Sequence, residues 1–167
     1  MILYTMKFLI FLIYIFYSFK LISAEFTYEA MGKEQRSDII KSPNGETVYM
    51  LYTNTAVYTS NTKHFGPGIC SGIQKVENGL LNADILCENK SGKYLWYPVF
   101  NVKNLDPTDT ASVINFDIKH GTGPFTELIG VKCKAAYVPI QDNHFLYKAK
   151  CNVPDASFER MLNFKDN

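Results

Sequence analysis

The order of apolar and polar positions along this chain is that of a succession of strands separated by turns. Residues 46–59 are rich in Thr, Val and Tyr, which suits a strand. Residues 61–68 read as a loop. Asn78-Gly79 marks a two-residue hairpin turn, because both of its positions need positive φ. A second turn falls at 89–92. Residues 93–102 are aromatic and β-branched and read as a central strand, with Pro98 at a bulge or at the strand's edge. Residues 106–109 are a loop and 111–119 alternate as a strand. His120-Gly121-Thr122-Gly123-Pro124 then turns. Residues 127–137 and 144–152 form a further strand pair around 139–143. Helix signals are few. Ser37-Asp38-Ile39-Ile40 has the form of a capped helix start, but the turn signal Pro43-Asn44-Gly45 follows closely. Residues 156–162 suffice for one helical turn. The expected fold class is α+β, one short helix packed on an antiparallel β-sheet.

The N-terminus has a different pattern. Lys7 precedes a run of large apolar residues that ends at Lys20, and Ile22-Ser23-Ala24 offers a small residue for cleavage. A basic flank, a short apolar core and a small-residue exit make a signal peptide over residues 1–24. The run holds about a dozen residues, whereas a spanning helix needs roughly 20. The remaining residues, 25–167, have the length of one domain with a real core. Without Lys7 and Lys20 the 17 basic side chains fall to 15 against 16 acidic ones, a net charge near −1. Sequence-blind binding of polyphosphate usually rides on a basic surface, so this balance counts against it, a local patch aside. A monomer without membrane attachment after cleavage is expected.

All four cysteines, Cys70, Cys87, Cys133 and Cys151, lie beyond that segment, and an even count in an exported chain implies two disulfides. The hairpin turn helps choose among the three pairings. A turn at Asn78-Gly79 puts Glu77 opposite Leu80 and Val76 opposite Leu81. The same count outward brings Cys70 opposite Cys87 in a non-hydrogen-bonded pair, where Cα atoms lie about 4.5 Å apart. Cys133 is left to pair with Cys151.

Little catalytic chemistry is legible. His64, His120 and His144 are scattered, and no metal-ligand spacing, phosphate loop or nucleophile elbow is present in the sequence. No metal or cofactor is expected. His120-Gly121-Thr122-Gly123 is better explained as a hairpin loop than as an anion nest. Asn89-Lys90-Ser91 is a glycosylation sequon on an expected turn.

Several short strings, in order, resemble the secreted ribonuclease-like effectors of powdery mildew fungi, relatives of the fungal guanyl-specific ribonucleases. Tyr28-Glu29-Ala30 stands where that family carries Tyr-x-Cys, and Arg36-Ser37-Asp38-Ile39 resembles the start of its helix. Lys63-His64-Phe65 resembles the segment with the catalytic histidine. Tyr94-Leu95-Trp96-Tyr97-Pro98-Val99 resembles the strand with the catalytic glutamate, and Ala111-Ser112-Val113-Ile114-Asn115-Phe116 the strand with the arginine. Leu128-Ile129-Gly130-Val131-Lys132-Cys133-Lys134 resembles the strand with the second histidine, and Cys151 stands at the closing cysteine. The resemblance implies a microbial-ribonuclease-like fold over residues 25–167.

Of the groups such a ribonuclease needs for acid–base transfer and phosphorane stabilisation, the resemblance leaves only His64. Trp96 (or Leu95) stands for the glutamate, Ser112 for the arginine and Lys134 for the second histidine. Ala30 removes the family's first cysteine, so a Cys133–Cys151 bond would replace the family's own bond to Cys151. The implied function is a secreted, catalytically inactive ribonuclease-like effector that binds a host protein or host RNA. In that reading Tyr94, Trp96, Lys132 and Lys134 stack bases or meet phosphates, although a lone tryptophan on a central strand is more readily explained as core. Two other classes stay open. One is an active secreted ribonuclease using His64 with His120 or His144. The other is a small-ligand carrier of barrel type, which a closed barrel would favour and a helix on an open sheet would not.

Overall fold

The computed structural model describes residues 23–78, 80–89, 94–102 and 112–165, the side chains at 65 and 95–102 excepted. Eight strands follow one another: β1 (Ser23–Lys41), β2 (Thr47–Ser60), β3 (Phe65–Glu77), β4 (Leu80–Asn89), β5 (Leu95–Val102), β6 (Ser112–Gly121), β7 (Lys132–Ile140) and β8 (His144–Pro154). Each pairs antiparallel with the next, and β1 also pairs with β8, from Ser23↔Pro154 to Lys33↔His144. The sheet therefore closes into an up-and-down barrel without free edges. One short helix, α1 (Asp155–Leu162), ends the described chain.

This architecture corrects the α+β expectation. The sheet curls shut instead of offering one open face to a helix, because β1 is paired along both of its sides. Helix α1 instead plugs one end, where Met161 is fully buried beside the 3₁₀ turn Gly123–Leu128. Arg160 clamps that turn through two bonds to Glu127, Nε to Oε1 at 2.6 Å and Nη2 to Oε2 at 2.7 Å. The helix start expected at Ser37-Asp38 is strand. There β1 carries a bulge between Ser37 and Ile40, with Asp38 at φ 51°. A bulge adds twist and bend to a long strand, as closure demands.

Strand alternation separates two faces. Inward positions include Phe26, Tyr28 and Glu34 on β1, Tyr52 and Tyr58 on β2, and Ala83, Ile85 and Cys87 on β4, all buried or half-buried. Phe116 and Ile118 on β6, Cys133 and Ala135 on β7, and Phe145, Ala149, Cys151 and Val153 on β8 complete the core. The outer wall carries threonines and charged residues, with Lys148–Glu29 and Lys150–Glu25 ion pairs across β1 and β8. Gly32 and Gly72 allow close strand approach: a Cβ there would overlap the carbonyls of Thr55 and Asp84.

Both disulfides staple neighbouring strands. Cys70 and Cys87 stand opposite each other on β3 and β4 with Cα atoms 4.0 Å apart, in the register counted from Asn78, whose φ is 50°. Cys133 and Cys151 join β7 to β8 at 4.3 Å. The register of β5 against β6 shifts between Tyr97 and Pro98, where a proline lacks the ladder donor.

Candidate functional site

The interior is divided. Near α1 it is apolar, filled by Phe26, Phe125, Leu128, Val153 and Met161. Further along, towards the connections β1–β2 and β7–β8, polar side chains face inward. Glu34 is 7% exposed and Gln74 is 5% exposed. Arg36 reaches over both: its Nη2 lies 2.8 Å from Glu34 Oε1, and its Nε donates to Gln74 Oε1 at 3.1 Å. Opposite Glu34 in the β1–β2 ladder stands Asn54. Its Nδ2 donates to the Tyr52 hydroxyl at 2.8 Å. Deeper in, the Tyr28 hydroxyl donates to that of Tyr147 at 3.2 Å.

Glu34 Oε2 and Asn54 Oδ1 are fully enclosed by protein, and the Tyr52 and Tyr137 hydroxyls lie within hydrogen-bonding reach of the Glu34 carboxylate. Buried polar atoms are nearly always matched, because an unmatched one costs its full desolvation.

The tyrosines around it are held neutral. Burial pushes the Tyr52 hydroxyl up to about 12, its bond from Asn54 opposing and the Glu34 charge adding to the rise. Burial likewise raises Tyr137, and the nearby Glu34 carboxylate raises it further. Tyr28 and Tyr147 are raised chiefly by burial. Rings neutral at ordinary pH offer hydroxyl donors and π faces, and no tyrosinate anion.

The residues singled out from sequence are not gathered here. His64 lies at the α1 end, its Nε2 3.0 Å from the Met161 carbonyl oxygen and its ring near Phe125 and Phe164. Ser112 begins β6 at the other end of the barrel, paired with Tyr137, nine positions along the strand from Gly121. Lys132 and Lys134 are exposed on the outer wall of β7, opposite Asp117 and Asn115. Tyr94 packs edge-on against Phe164 at the α1 end, with ring centroids 5.6 Å apart. The backbone of Trp96 pairs with Cys87 and Gly121, and its side chain lies outside the described residues. His120 is exposed beside Tyr97, and His144 is exposed with Nδ1 3.1 Å from the Gln141 carbonyl oxygen. Asn89 ends β4 and its Oδ1 accepts from the Tyr94 amide at 3.1 Å; Lys90 and Ser91 of the sequon lie outside the described residues.

Glu34, Arg36, Asn54 and Gln74 were not singled out from sequence. Their signal was phase. Glu34 falls in step with Phe26, Tyr28 and Ala30, and Asn54 with Tyr52 and Tyr58, so polar residues share the face of the aromatic ones. A concavity lies outside the barrel, a groove walled by Met31, Val57, Pro67 and Ile69 over the small residues Ala56 and Gly68. It is apolar and holds no titratable group. Among the described residues no cluster of three His, Cys, Asp or Glu could hold a metal ion. Compared with family models, curated proteins and solved structures, the chain matches none.

Proposed function

We propose that this chain is an exported binding protein that holds one small organic ligand inside its barrel. The observation that carries the reading is a closed eight-stranded barrel whose inward positions set Glu34, Asn54 and Gln74 among tyrosines. A barrel of eight strands is the size whose interior is either filled by side chains or holds one small ligand. Polar groups fixed among aromatic walls are how such sites orient what they bind.

Export is supported by the Lys7 flank, the short apolar run and the small residue Ala24. It is also supported by two disulfides, which persist in oxidising compartments. The inactive-nuclease reading needed His64, Trp96, Ser112 and Lys134 on one concave face. The barrel sets His64 and Ser112 at opposite ends and Lys134 on the outer wall, so that reading loses its scaffold.

The test is a titration of the isotope-labelled exported chain with a panel of small neutral aromatic compounds, followed by NMR. Saturable shifts at Tyr52, Asn54 and Tyr137, with outward Tyr49 and Leu51 unmoved, are the expected result. If every compound leaves the inward signals unmoved, the protein is not a barrel-interior binder.

A further inference from the structure

We propose that the outer wall of β7, β8, β1 and β2 is a self-complementary face through which two copies of this chain pair about a two-fold axis, in place of the monomer expected from sequence. One row of outward positions crosses five neighbouring strands and is apolar throughout. It runs Val138, Leu146, Met31, Val57, Pro67, each directly opposite the next in its ladder. All five are exposed, Met31 by 61% and Val57 by 57%. Polar groups rim the row on β8 and β1, with Lys148 and Glu29 on one side and His144 and Lys33 on the other. An exposed apolar stripe with a polar rim marks an interaction surface. The two halves of the row differ in shape. On β1–β3 it borders the groove whose floor is Ala56 and Gly68. On β7 and β8 it consists of the exposed branched side chains of Val138 and Leu146.

Shape, charge and area commit the occupant to a second copy. A two-fold axis along the strands, between β8 and β1, lays β8 of one copy over β1 of the other and β7 over β2. Leu146 then faces Met31 and Val138 faces Val57, so the branched half of each row meets the grooved half of the other. Packed sheets keep their strands within about 30° of each other, so the rows stay in step across the contact. The same operation sets Glu29 of one copy against Lys148 of the other. Within one copy these two already pair, Lys148 Nζ lying 2.6 Å from Glu29 Oε1, and both side chains remain more than half exposed. Two copies therefore bring four charges of alternating sign around the axis, each carboxylate between two ammonium groups. The row with Ile69 offers roughly 80 Å² of apolar surface per side chain, about 500 Å² per copy. A standard interface covers about 800 Å² per partner, roughly six-tenths of it apolar, so the stripe has the size of one interface core. A bilayer suits this wall less well, because Glu25, Glu29, Lys148 and Lys150 stand on it beside the stripe.

Sedimentation velocity of the exported chain from about 1 to 200 μM tests this, since an interface of this size holds at micromolar concentration or tighter. The expected result is a species of twice the chain mass that grows with concentration. Leu146→Glu and Val57→Glu, both at outward positions, should be monomers throughout, with far-UV circular dichroism and intact disulfides confirming their fold. Glu29→Lys and Lys148→Glu should each weaken self-association by about 10-fold or more, because like charges then meet across the axis. An equimolar mixture of those two should recover the dimer, because opposite charges meet again at both contacts, changed position to changed position and native to native. A chain that stays monomeric at every concentration overturns the inference. So does a dimer that persists in Leu146→Glu and Val57→Glu, which would use another surface. A mixture that associates no better than either variant alone overturns the two-fold arrangement. A monomer that floats with phosphatidylcholine vesicles gives the stripe to a membrane and overturns the pairing of copies.

Discussion

The hydroxyls of Tyr28 and Tyr147 meet inside the barrel at 3.2 Å, with their rings tilted together at 5.5 Å. Tyr28→Phe removes one hydroxyl and leaves the other buried without its partner. An unmatched buried hydroxyl costs about 1–3 kcal/mol, whereas removing both partners at constant shape is nearly neutral. The rings remain in either case, so contacts to Phe26 and Phe116 persist and no cavity forms. Each single variant, Tyr28→Phe or Tyr147→Phe, should therefore lose about 1–2 kcal/mol. The double variant should lose less than the two losses added, with a coupling of about 1 kcal/mol or more. Urea unfolding followed by circular dichroism, with disulfides intact, reads this directly. At a slope of about 2 kcal/mol per molar urea, each single change moves the midpoint by roughly 0.5–1 M. Losses that add within about 0.5 kcal/mol would refute the pairing, and with it the inward placement of β1 and β8 side chains on which the candidate site depends.

Alkaline pH should unfold the protein. Tyr28, Tyr52, Tyr137 and Tyr147 all have hydroxyls raised above the ordinary 10 by burial, Tyr52 to about 12. Their stabilisation is complete below the unfolded value near 10 and is lost as pH climbs through the folded values, so stability should hold to about pH 9.5 and fall above it. Tyrosinate absorbance appearing well before loss of circular dichroism would contradict this. Replacing Cys70 and Cys87 together by alanine should cost about 3 kcal/mol in urea unfolding, the loop entropy of their 17-residue separation. Replacing Cys133 and Cys151, separated by 18, should cost the same, and a cost near zero for either pair would show that the hairpin alone closes that loop. His64→Ala should lose about 1 kcal/mol and speed amide exchange in α1 while leaving exchange in β3 and β4 unchanged, because its ring bonds the Met161 carbonyl. Loss of an RNA-cleaving activity in that variant would instead restore a catalytic role.

What could be read from sequence was local. The Asn78-Gly79 turn fixes its register within four residues, and the register carries Cys70 to Cys87 without further information. The same holds for the irregularity at Pro98 and for the β7–β8 pair around Gln141–Asn143. The bulge in β1 was misread for a local reason too. Ser-Asp before apolar residues caps a helix, yet Asp also tolerates the left-handed backbone that a bulge needs, and Asp38 takes φ 51°. Closure is not local. Ser23 meets Pro154 across nearly the whole described chain, and no short window of residues encodes that contact. The strings that resembled ribonuclease strands, at 94–99, 111–116 and 128–134, largely specify extended backbone. Extended backbone is common to an open sheet and to a closed barrel.

The polar part of the interior stayed hidden because its meaning depends on closure. In an open sheet one face must meet water or another layer, so Glu34 and Asn54 would simply mark the wet face. Closing the sheet turns that face into an interior, and the same two residues become buried polar groups matched by inward tyrosines. The outer wall shows the converse: Met31, Leu51, Val57 and Ile73 are exposed there. Hydrophobicity alone would have assigned these strands the opposite way round. The tyrosines resolve the conflict, because Tyr28, Tyr52 and Tyr147 can be buried with a hydroxyl partner, and each has one. A barrel that sets tyrosine, asparagine, glutamine and glutamate among its inward apolar residues has given up part of the apolar burial its size allows.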